Sequence, residues 1–117
     1  MAERAYKSGG ISGSFVVVFI TAPSSASAEK ISRGLLDAKL AACAGMIKGV
    51  RSLFWWEGKV NKANEVLIIC KTRKSLIAEL TKYVRRHHEY QIPEIIAVPI
   101  VGGNPDYLNW VKESTVE

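Results

Sequence analysis

Residues 53–70, LFWWEGKVNKANEVLIIC, decide the fold. Phe54, Trp55 and Trp56 run into Glu57-Gly58-Lys59, a glycine-containing turn between two extended arms. The returning arm closes on Glu65-Val66-Leu67-Ile68-Ile69-Cys70, a continuous apolar run of strand length. With Val50 and Leu53 upstream, the stretch from Cys43 onward predicts one long hairpin.

Phe15 to Ile20 (FVVVFI) is β-branched and aromatic and is closed by Thr21-Ala22-Pro23, which predicts a buried strand before the hairpin. Ser24 or Ser25 can cap the helix that follows, with Glu29 expected in its first turn; Ala28, Ile31, Leu35 and Ala38 make its apolar face, and its end is expected near Ala41. After the hairpin, Thr72 or Ser75 can cap a second helix. Leu76, Leu80, Tyr83 and Val84 share its inner face, and Pro93 prevents its continuation beyond about Tyr90. A fourth strand spans 94–101, where Pro99 argues for an edge or an irregularity. Asn104-Pro105 then opens a short helix with Tyr107, Trp110 and Val111 on one side. The order is βαββαβ plus a C-terminal helix, an α+β, ferredoxin-like antiparallel sheet.

With 117 residues, 48% of them hydrophobic, the chain has the size and composition of one globular domain. Residues 1–13 mix charge, serine and glycine without period and are expected to be a flexible tail, leaving 14–117 as the domain. No apolar segment reaches membrane-spanning length and no secretory leader is recognisable, so a cytoplasmic location is the expectation. Cys43 and Cys70 lie in apolar surroundings without CxxC spacing and read as reduced packing residues. The formal charge of +5 comes from scattered lysines and arginines, so no nucleic-acid partner is expected.

The strands do not alternate as a one-sided sheet should. Phe15 to Ile20, Val66 to Cys70 and Ile95 to Val98 are apolar on both faces, and a chain this short is expected to lack a second covering layer. Leaving such side chains wet forgoes roughly 1.5–3 kcal/mol each. Trp55 and Trp56, adjacent in an extended arm, point to opposite faces, so at most one serves its own core. Another copy of the chain is expected to supply the cover.

Five segments carry a family pattern: Val17 to Pro23, Leu40-Ala41-Ala42-Cys43-Ala44, Trp56-Glu57-Gly58-Lys59, Lys71-Thr72-Arg73, and His88 to Glu94 (HEYQIPE). With Gly103 to Trp110 (GNPDYLNW) they resemble, in order and spacing, the CutA family of divalent-cation tolerance proteins. The resemblance implies a tight homotrimer related in architecture to the PII signal proteins; Trp55, Trp56, Tyr107 and Trp110 are expected at its interface. It implies copper or another divalent metal as ligand and carries no catalytic activity. The family's inter-subunit clefts map onto Trp56, Lys59, Lys71, Tyr90 and Glu94, with Pro93 in the same framework.

His87 and His88 are the only histidines, and imidazole suits copper. The resemblance places metal binding on this pair; the carboxylate of Glu89 beside them can add an oxygen ligand or stand as a solvated surface residue. Neighbouring helical residues point about 100° apart, so one chain does not readily chelate with both; histidines at a helix C-terminus also complement its dipole without any ligand. Two positions depart from the family: Ile20 stands where some relatives have cysteine, removing a thiolate, and Glu89 where proline commonly follows the histidine. Three functions are compatible with this set: a metal-binding trimer, a PII-like ligand-sensing or anchoring trimer, and an RNA-binding module. The last needs stacking aromatics on the central strands, and Val66 to Cys70 offers none. No phosphate loop, nucleophile set or paired carboxylates indicate an enzyme.

Overall fold

The computed structural model describes residues 14–117; the tail expected over 1–13 lies outside them. Strand β1 (Phe15–Ala22) leads to helix α1 (Ser25–Asp37). The hairpin is β2 (Cys43–Trp56) and β3 (Lys59–Arg73), followed by a 3-10 turn (Lys74–Leu76), helix α2 (Ile77–His87), strand β4 (Ile95–Ile100) and helix α3 (Pro105–Glu113). The four strands form one antiparallel sheet in the order β2-β3-β1-β4. This is the ferredoxin-like arrangement, and Pro99 lies in an edge strand as its missing N–H requires.

The register fixes which side chains share a face. Val16, Val18, Ile20 and Ala22 of β1, with Val66, Ile68 and Cys70 of β3, meet Ala28, Ile31, Leu35, Leu80 and Val84 of the two long helices in the main core. Val17, Phe19, Leu67 and Ile69 belong to the far face by strand alternation. That face is not wholly bare, which corrects the expectation that the chain lacks any cover for it. Helix α3 folds over one end, where Leu108 and Val111 pack on Phe15, Ala42 and Ile100 in a second small core. Val111 is fully buried, whereas Tyr107 and Trp110, on the preceding turn and beside it, stay part-exposed with their rings 5.4 Å apart. Arg73 fastens α3 in place, donating from Nε to Thr115 Oγ1 at 2.9 Å and from Nη2 to the Lys112 carbonyl.

Three local details differ from the sequence reading. Ser24 caps α1 through the Ser27 N–H as expected, but Glu29 lies beyond the first turn and pairs instead with Arg33 at 2.9 Å. Helix α1 stops at Asp37 rather than near Ala41, because Lys39 enters the left-handed region at φ 57. Leu40 N–H then bonds the Leu35 carbonyl and Lys39 N–H the Leu36 carbonyl, the paired bonds of a Schellman stop. Neither Thr72 nor Ser75 caps α2. Thr72 is a buried strand residue whose hydroxyl donates to the Leu40 carbonyl at 2.7 Å, and the 3-10 turn leads into α2 without a side-chain cap.

The hairpin closes through Glu57 (φ 50) and Gly58 (φ 79), both left-handed as a two-residue type I′ turn demands. Asn61 braces the turn by donating to the Trp56 and Lys59 carbonyls, each at 3.0 Å. Further down, the ladder steps from Ile47↔Leu67 to Val50↔Glu65, so β2 carries one more residue than β3 across a bulge at Lys48-Gly49. Gly49 has φ 80, a conformation that a side chain would strain.

Candidate functional site

The two histidines sit where α2 ends, yet their environments differ. His87 is exposed; its Nδ1 donates to the Tyr83 carbonyl at 2.8 Å and its ring stacks on Tyr83 with centroids 4.1 Å apart. This leaves Nε2 with a lone pair that takes no bond among the described residues. His88 turns inward at the extended residue after the helix. Its Nδ1 accepts from the Tyr90 N–H at 3.0 Å, which puts the ring proton on Nε2, and Nε2 donates to the Thr21 carbonyl at 2.7 Å. Both nitrogens of His88 are spent on tying the loop after α2 to the end of β1.

That arrangement can be tested against a metal. Among the described residues no three His, Cys, Asp or Glu side chains come together. One subunit offers a single free imidazole nitrogen at His87, with Glu89 exposed two positions along, so a full coordination sphere needs donors from outside the subunit.

Tyr90 carries the polar centre onward. Its hydroxyl donates to Glu65 Oε2 at 2.8 Å, and burial together with that carboxylate pushes the phenol up to about 12. Glu65 is only 8% exposed although it opens the apolar run of β3. The sequence reading passed over it; the available signal was a lone acid heading an otherwise unbroken apolar strand.

The other cleft residues do not meet within one chain. Lys59 and Trp56 lie at the hairpin tip, while Lys71 is paired with Cys43 and Val17 near the opposite end of β3, about 40 Å along the strand. Glu94 is exposed just before β4, beside half-buried Pro93. Cys43 approaches Tyr107, Sγ to Oη 3.5 Å, and this contact, with burial, pushes the Tyr107 phenol up to about 12. Cys70 is core; burial pushes its thiol up to about 12, away from the reactive thiolate.

The expected interface aromatics are all accessible in the single subunit: Trp55 is 75% exposed, and Trp56, Tyr107 and Trp110 are about 40% exposed. They join Leu53, Val60, Ile96 and Val98, each about half exposed or more.

A ferredoxin-like domain with a protruding hairpin, half-exposed apolar strand residues and a histidine-terminated second helix defines a class of small α+β proteins. Within that class the chain belongs to the CutA1 divalent ion tolerance protein family, whose model matches residues 16–114. The chain is 46% identical over 102 residues to Protein CutA 1, chloroplastic, of rice, covering 87% of this chain and 58% of that protein. It is 43% identical over 99 residues to the divalent-cation tolerance protein CutA of Escherichia coli O139:H28, covering 85% and 88% respectively. It thus spans little more than half the length of the rice relative and most of the bacterial one. The crystal structure of CutA1 from Oryza sativa superposes with a TM-score of 0.87 at 44% identity, covering 92% of this chain and 98% of that one.

Proposed function

We propose that the chain is a homotrimeric binding protein for divalent metal, copper foremost, acting in metal tolerance or response from the cytoplasm and catalysing no reaction. The observation that carries this reading is the large apolar surface left open on the hairpin and β4, which self-association would bury. The family's divalent-ion tolerance supports the metal arm, and the free Nε2 of His87 gives it a ligand that trimerisation would repeat three times.

Native mass spectrometry of copper-titrated protein tests both arms. The expected result is a trimer that takes up copper, with uptake lost in His87→Ala. In His88→Ala uptake persists, but the fold loses about 1–3 kcal/mol because two part-buried backbone groups lose their partner. A monomer, or copper uptake unchanged in His87→Ala, overturns the corresponding arm.

A second reading, a PII-like trimer that senses a small ligand or anchors a partner without a metal role, is favoured by the engagement of both His88 nitrogens. It predicts thermal stabilisation by a small anion and none by copper.

A further inference from the structure

Glu65 is left incomplete by its own subunit. Its side chain belongs to the far sheet face with Leu67 and Ile69, next to Val50 in the ladder and close to Ile47, which is 50% exposed. The bond that its carboxylate takes among the described residues comes from the neutral Tyr90 hydroxyl. The ion pair among those residues joins Arg33 to Glu29 on α1, and no cation among them reaches Glu65. A carboxylate withdrawn from water and held by one neutral donor is unfavourable until a positive group joins it.

The chain carries such groups on its hairpin, and none of them is ion-paired with Glu65. From Lys48 to Asn64 the hairpin has Lys48, Arg51, Lys59 and Lys62 against the single acid Glu57. Arg51 and Lys62 point to the opposite face of the ribbon, by alternation from Val50 and Glu65. Lys59 shares the face of Glu65 but lies six residues away in an extended strand, about 20 Å distant. The acid is nearly buried beside the half-exposed Ile47 on the far sheet face, and the bases sit on the arm that projects beyond it.

We propose that a cationic side chain from the hairpin of a second copy, Arg51, Lys59 or Lys62, binds Glu65 and completes a buried Glu–Tyr–cation site between subunits. This rests on the self-association reading above and adds to it the residue around which the contact is set. The site makes assembly depend on charge as well as apolar area, so that a hairpin docked in another register leaves the acid buried and unpaired.

A double-mutant cycle on the full chain tests it, with Glu65→Gln combined in turn with Arg51→Gln, Lys59→Gln and Lys62→Gln. The readout is the dissociation midpoint by sedimentation at decreasing concentration, with far-UV circular dichroism to confirm folding. Glu65→Gln keeps the shape and the Tyr90 bond, and is expected to raise the midpoint about tenfold or more. One hairpin variant should do the same alone and add almost nothing in the Glu65→Gln background. Additive effects for all three, or an unchanged midpoint in Glu65→Gln, overturn the proposal. The hairpin variants lie at exposed positions and fold regardless, so three unchanged midpoints among them overturn it even where Glu65→Gln does not fold. A parent protein that is monomeric throughout removes the self-association reading and this inference together; an assembling parent with an indifferent Glu65 removes the inference alone.

Discussion

Adjacent residues of one type acquire different chemistry from a single turn of backbone. His87 is the last residue of α2 and bonds back to Tyr83, whereas His88 is extended and reaches β1. The doublet was legible in the sequence; its division of labour was not, because the partners are the carbonyl of Thr21, 67 positions upstream, and an N–H beyond the helix end. Tyr83 also explains Gly34. A Cβ at that position would lie 1.8 Å from the Tyr83 hydroxyl oxygen and 2.6 Å from its ring carbon, so α1 and α2 fit together through the missing side chain. Gly34→Ala is expected to cost about 1–3 kcal/mol in urea unfolding, even though alanine is the better helix former. Protons give a further test at this scale. Tyr90 and Tyr107, ordinarily near 10, and Cys70, ordinarily near 9, are all pushed up to about 12 in the fold. The unfolded chain therefore releases these protons first. Their stabilising contribution is complete below about pH 9 and falls as pH rises towards 12, so the urea midpoint should decline across that interval, and decline less in Tyr90→Phe.

Elements were legible wherever their signal is local. The Asn104-Pro105 start of α3 is written in adjacent residues: the Asn104 side chain accepts from the Asp106 N–H at 3.0 Å, and proline takes the first helical position. The end of α1 is not, because its left-handed stop is occupied by Lys39 where glycine would have announced it. The same residue yields a prediction. Lys39→Gly should raise stability by roughly 0.5–1 kcal/mol in urea unfolding, because glycine adopts that conformation without the Cβ penalty. No gain would mean that the Lys39 side chain contributes packing not visible in its bonds. The start of α2 escaped sequence reading for the opposite reason. Thr72 has the chemistry of a cap, but β3 runs through it and its hydroxyl is drawn to Leu40.

For the whole subunit, the two-faced character of the central strands was readable from composition, and the gap in cover is real over Ile96 and Val98. What escaped was the partial roof. Its anchor is Arg73 clasping the end of α3, a contact 42 residues long in sequence that no local pattern announces. The hairpin gives the molecule its 50 Å long dimension, and its tip makes no use of the subunit's own core. Trp55→Ala is accordingly expected to change subunit stability by less than about 0.5 kcal/mol while raising the dissociation midpoint about tenfold. Sedimentation with tryptophan emission separates the two, and a self-associating protein indifferent to Trp55 would dissociate tip from contact. The extra residue at Lys48-Gly49 has one more effect. Below it Cys43, Gly45 and Ile47 share the side of Leu67 and Ile69; above it that side passes to the even-numbered Val50, Ser52, Phe54 and Trp56. Delete one residue there and the blade rolls over on its long axis: the indoles trade sides, and a neighbour built to meet one palm of the hand is offered its back.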